Sequence, residues 1–184
     1  KILEGRDLAR AKLMGPVVGV RSYQSFGELK IQFNGMDDED HIPSYYRREL
    51  DLSTGIAKTV FTYDGVTYTR EVFASAPDDI LVVRFTADKP GALNFRVLYS
   101  REQDAGAYAD GPDAIAIKGQ IIDFPAGGSS PAGPHMKFAG LVKGQCKDGE
   151  LFVANQSIYV MGASEAVLYV AMNTDYDVNQ LNFD

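Results

Sequence analysis

Apolar and polar positions along the chain repeat with two different periods. Between Glu4 and Met14, Leu8 and Ala11 are three residues apart and Ala9 and Leu13 four apart, spacings that place side chains on one helical face. They predict one short helix, ended by Gly15-Pro16 because proline disfavours helical backbone in the residue before it. Beyond that point the period is two. Leu29, Ile31 and Phe33 alternate with Lys30 and Gln32, the pattern of a half-buried strand. Thr59–Tyr63 and Val66–Phe73 are rich in β-branched and aromatic residues. Asp64-Gly65 joins them with no slack, which predicts a two-residue type I′ hairpin whose central residues both need positive φ.

The run Ile80–Phe85 is almost continuously apolar, which predicts a strand covered on both faces. Leu93–Val97 alternates again, as do Ile115 and Ile117 with their neighbours, and Lys137–Val142 reads as a further strand. Leu151–Val153, Ser157–Val160 and Ala166–Met172 predict a closing meander. Between the halves, Pro125–Pro134 consists wholly of glycine, proline, serine and alanine, so it predicts a loop and not a domain boundary, since strand patterns resume beyond it. The expectation is an all-β, mainly antiparallel fold of two sheets with one short N-terminal helix, spanning 1–184 as a single domain.

Charge narrows the choice of function. A net charge of −7 opposes nucleic-acid binding and anchoring on anionic lipid, both of which need a basic footprint. The lone Cys146 excludes an internal disulfide and sits in Gly144–Gly149, which reads as a turn holding a bystander thiol. Asp37-Asp38-Glu39-Asp40 is the densest charge cluster, but it lacks the spacing of a calcium loop, and four adjacent acids cannot converge on one point. It reads as a solvated loop. His41 and His135 are far apart in sequence, and no phosphate loop, nucleophile elbow or HExxH motif occurs, so neither a metal nor a cofactor is expected. The ten tyrosines and ten phenylalanines invite a sugar-stacking role, but tryptophan is absent and most of these rings fall at strand periodicity, where core packing explains them. Tyr45, Tyr46 and Arg47 are the best candidates for a sugar-binding or domain-facing surface, with Arg48 beside them. Alternation puts Arg48 on the face of Leu50 and Leu52, which predicts a buried, paired Arg48 and an outward Arg47.

Three segments, Tyr23–Leu29, Tyr46–Leu52 and Thr67–Ser75, in this order and spacing, resemble the N-terminal domain of glycoside hydrolase family 95, a family of α-L-fucosidases with some α-L-galactosidases. Ser25 and Glu28 stand where that family usually has proline and aspartate. The resemblance implies a β-supersandwich of the galactose-mutarotase kind, followed by an (α/α)6 barrel that carries the catalytic groups of an inverting attack by water. It assigns no catalytic residue to this sequence. What it implies instead is a domain of a larger bacterial, exported enzyme, partnered by the barrel of the same parent chain and by that enzyme's glycan substrate. The Lys1 start and the Asp184 end fit a piece of a longer protein, and Val178, Leu181 and Phe183 would then favour weak self-association of the isolated piece. A free-standing carbohydrate-binding module is the alternative.

Overall fold

The computed structural model describes residues 2–13, 24–36, 42–123 and 133–177. They group into two compact units, one of 1–25 with 121–135 and one of 26–120 with 136–184. The acidic cluster with His41, the start of the Tyr23 motif and the segment holding Val178, Leu181 and Phe183 lie outside the described residues.

In the first unit, the helical spacing near the N-terminus forms α1 (Ile2–Lys12), with Glu4 in its first turn where the helix dipole favours a negative charge. Its apolar residues Ile2, Leu3 and Leu8 are exposed, as is Leu13 just beyond it.

The second unit is built from strands β1 (Glu28–Phe33), β2 (Tyr45–Asp51), β3 (Ile56–Tyr63), β4 (Val66–Ser75), β5 (Ile80–Ala87) and β6 (Leu93–Ser100). There follow β7 (Ala105–Ala109), β8 (Ala114–Asp123), β9 (Gly133–Lys147), β10 (Glu150–Ala154), β11 (Ser157–Ala163) and β12 (Glu165–Thr174), the unit boundaries falling within β8 and β9. They form a four-stranded sheet in the order β1-β6-β11-β10 and an eight-stranded sheet in the order β2-β3-β4-β5-β12-β9-β8-β7. The all-β, two-sheet expectation holds. The Asp64-Gly65 hairpin forms with both residues at positive φ, 48° and 67°, the backbone that β3 and β4 need to turn without splaying.

The core lies between the sheets. Leu93, Phe95 and Val97 of β6 face Ile115 and Ile117 of β8, Val142 of β9 and Leu168 of β12 within one buried cluster. Phe33 of β1 carries the small sheet onto the large one, with its ring centroid 5.8 Å from Phe85, 5.9 Å from Tyr68 and 6.2 Å from Phe61. Tilted and edge-on geometries dominate, as the ring quadrupoles favour. β5 has β4 on one side and β12 on the other, and Val82, Val83 and Phe85 are all buried, so its continuous apolar run marks an interior strand.

The outward face of the large sheet is polar and laced with charge. Lys58 and Glu71 are directly opposite across β3 and β4, and Arg84 next to them on β5 reaches Glu71 at 3.1 Å and Glu165 at 2.9 Å. Opposite charges on neighbouring strands stabilise a sheet modestly while keeping that face wet.

Cys146 departs from the sequence reading. It lies within β9, half-buried and opposite Ala166, and the turn comes two residues later at Asp148-Gly149. The inward positions of this stretch are Gly144 and Cys146, too small to print an alternation, so the strand was hidden in a run that looks like loop composition. Burial, and secondly Asp148, push the thiol pKa up. Gly133 and Pro134, read as the end of the loop, lie with His135 in β9, and the rest of that loop from Pro125 to Ala132 is outside the described residues.

Candidate functional site

The three residues singled out from the sequence all lie on β2, the edge strand of the large sheet, and every residue of β2 is exposed. The strand forms because Tyr45–Asp51 pairs in register with β3, Tyr46 opposite Phe61, Arg47 opposite Val60 and Arg48 opposite Thr59. Alternation then separates the candidates. Tyr46 is on the face that looks toward the small sheet, and Tyr45 and Arg47 are on the outward face.

On the inner face, aromatic rings run from the core to the edge. Phe61 stacks on Tyr68, with centroids 5.1 Å apart and planes 18° from parallel, and Tyr46 continues that row with 55% of its surface exposed. The Arg48 guanidinium sits over the Tyr46 ring at 5.9 Å, a cation–π distance. On the outer face, Arg47 pairs with Glu49 at 2.6 Å, both exposed. The structure therefore brings Tyr46 and Arg48 together and leaves Tyr45 and Arg47 behind the sheet.

The buried Arg48 expected from alternation is not found. Arg48 is exposed, and so are Leu50 and Leu52, at 61% and 87%. Its facing was correct; its cover was not. Among the described residues, four strands cannot cover eight. Along the row running outward from the core, Ala166, Phe85 and Thr59 are buried, while Arg48, one strand further, is open. Arg70 stands between Phe85 and Thr59 in that row and donates to the Thr59 hydroxyl at 3.3 Å.

The chemistry available at β2 is recognition. Its acids, Glu49 and Asp51, are on the outer face, and Asp51 is tied down by Ser53, whose hydroxyl and backbone N–H hold its carboxyl below the usual range. Among the described residues, no group of three histidine, cysteine or acidic side chains is placed to hold a metal ion. Sequence reasoning passed over one polar feature, a cleft at the opposite edge of the large sheet beside β7 and the β10–β11 turn. Its sequence signal was Asn155-Gln156, a two-residue turn that has no glycine.

Residues 1–179 match the model of a family described as "Glycosyl hydrolase family 65, N-terminal domain". The chain belongs to that family. The match agrees with the expected N-terminal glycoside hydrolase domain, although it is to family 65 where the motifs resembled family 95. Over 107 residues, 55% of the chain, it is 36% identical to "Alpha-L-fucosidase 2" of Arabidopsis thaliana, and it spans 12% of that protein's length. The fold is shared with a solved structure named "Putative kojibiose phosphorylase from human microbiome", at a TM-score of 0.51 and 12% identity, over 83% of this chain and 23% of that one. This is the N-terminal domain of a glycosidase-family enzyme, and its two antiparallel sheets are the sandwich such a domain carries.

Proposed function

We propose that the domain is the non-catalytic N-terminal part of an inverting exo-glycosidase of the α-L-fucosidase type, and that it braces the (α/α)6 barrel of the same parent chain. The observation that carries this reading is the family match across 1–179, in a chain that spans only 12% of its fucosidase relative. Strand β2 supplies a surface for the task. Tyr46 and Leu50 are exposed on its inner face beside Arg48, with Leu52 exposed just beyond the strand and Tyr45 and Arg47 on the other face, and an interdomain contact of roughly 600–1,500 Å² would cover the inner group. Aromatic and arginine side chains are the types that interface cores favour. Catalysis by inversion needs an acid and a base far enough apart to admit water, and in this reading the barrel provides both. The parent enzyme acts on glycans outside the bacterial cytoplasm, in the periplasm or beyond.

The test uses the parent enzyme and the 184-residue chain side by side. The parent hydrolyses an aryl α-L-fucoside or galactoside and the chain alone does not. Turnover by the chain that survives repurification and disappears on mutating one of its carboxylates would overturn the reading. In the parent, Tyr46→Ser with Leu50→Ser lowers the melting temperature by several degrees, while the isolated chain, where both positions already face water, melts unchanged. Equal shifts in the two proteins would remove β2 from the bracing contact. Cell fractionation of the host decides localisation, and a cytoplasmic parent refutes export.

A further inference from the structure

The two sheets are matched at one end and not at the other. Phe33 of β1 reaches Phe61 of β3, Tyr68 of β4 and Phe85 of β5, and on the far side of the small sheet Leu151 of β10 lies against Gly144 of β9. The four strands therefore lie over the span from β3 to β9. Beyond β9, Ile115 and Ile117 of β8 and Ala107 of β7 are nevertheless buried. Beyond β3, Tyr46 and Leu50 of β2 are open to water. The uncovered apolar face is confined to one edge, where the small sheet stops at β1.

The backbone of β1 shows what that edge accepts. Asn34 donates its N–H to the Asn94 carbonyl at 2.9 Å, continuing the register in which Phe33 is opposite Phe95. Hydrogen-bonded pairs alternate along an antiparallel ladder, so Lys30, Gln32 and Asn34 turn their backbone groups to β6. Leu29 and Ile31 turn theirs the other way, and among the described residues no strand pairs on that side. An open row of this kind is a template for strand addition. A strand there, about 4.8 Å beyond β1, would extend the small sheet over β3 and β2. Its inward side chains would land on Tyr46 and Leu50.

Arg48 sets the chemistry of the incoming strand. It stands between Tyr46 and Leu50 on the same face, with its guanidinium over the Tyr46 ring at 5.9 Å. β2 offers it no carboxylate there, since Glu49 and Asp51 are on the outward face. Once covered, the guanidinium loses water and needs an acceptor, because a buried unpaired charge is costly. The chain spans 12% of its fucosidase relative, so a parent of that kind has ample sequence outside these residues to supply a strand.

We propose that β1 is not an edge in the parent enzyme. A strand from outside the 184 residues pairs with Leu29 and Ile31 and covers β2, with apolar side chains at alternate positions and a carboxylate among them for Arg48. The proposal rests on the reading of the chain as part of a longer enzyme, and it names what lies over β2. Hydrogen exchange, resolved to single amides by mass-spectrometric fragmentation, is compared in the parent and in the isolated chain. Leu29 and Ile31 should exchange freely in the chain alone and at least about a hundredfold more slowly in the parent, while Lys30 and Gln32 are protected in both. Arg48→Ala should lower the melting temperature of the parent by several degrees and leave that of the isolated chain unchanged. Fast exchange of Leu29 and Ile31 in the parent overturns the proposal, and the bracing contact is then decided by Tyr46→Ser with Leu50→Ser alone. Protection of these two amides in the isolated chain also overturns it, pointing to a second copy if it rises with concentration and to the chain itself if it does not. A parent indifferent to Arg48→Ala overturns the carboxylate.

Discussion

Replacing Glu165 by glutamine tests whether the charges on the outer face of the large sheet stabilise the domain as charges. Arg84 donates three side-chain hydrogen bonds, two to Glu165 at 2.9 and 3.2 Å and one to Glu71 at 3.1 Å. The fork geometry is favourable, but the Arg84 and Glu165 side chains remain 42% and 33% exposed, so water screens the pair. Glutamine keeps one acceptor oxygen, and Arg84 keeps Glu71. The loss should therefore be about 1 kcal/mol, the upper end for solvent-exposed pairs, and well short of a buried one. The pH dependence has a definite sign. Hydrogen bonding from Arg84 holds the Glu165 carboxyl below its ordinary range, against a smaller opposing effect of burial. A carboxyl with a depressed folded-state pKa contributes stability that is fully present above its unfolded-state value, about 4.3. That contribution is lost as pH falls through the lower folded-state value. Urea unfolding of wild type and Glu165→Gln across this range should show a gap of about 1 kcal/mol at neutral pH that closes in acid. A gap that stays constant down to the acid limit of folding would refute the charge-based reasoning and point to packing.

Phe95→Ala should be far more damaging, by about 3–5 kcal/mol in the same unfolding assay, because the ring is fully buried with centroids 4.9 Å from Phe85 and 5.2 Å from Phe33. Arg47→Ala and Arg48→Ala should each change the stability of the isolated chain by no more than about 0.5 kcal/mol; a large loss for Arg48 alone would mean that it is covered after all. Cys146 should react slowly with a thiol-specific disulfide reagent at neutral pH and quickly after denaturation, because burial and Asp148 raise its pKa. Equal rates in the two states would contradict that.

The features legible in the chain were those set within a few residues. Asp64-Gly65 specifies its hairpin because only that backbone joins two strands with no slack, and alternation placed Leu93, Phe95 and Val97 inward without reference to any partner. The three motifs carried a resemblance to a glycoside hydrolase N-terminal domain, and the family match over 1–179 agrees with it. Alternation also gave the correct face for Arg48, but a face is buried only if another layer lies over it. That depends on the widths of two sheets, four strands against eight, which no segment of β2 encodes. Cys146 was misplaced for a related reason, since Gly144 beside it leaves the inward positions of β9 too small to show a period. The cleft is the extreme case. Its walls come from β6 and β7, neighbours in sequence, and from the β10–β11 turn about fifty residues further on, and only the pairing of distant strands brings Gln156 to the opening beside Ser100 and Gly106. Periodicity records where a side chain points; what it meets there is decided by long-range pairing, which is a property of the assembled sandwich.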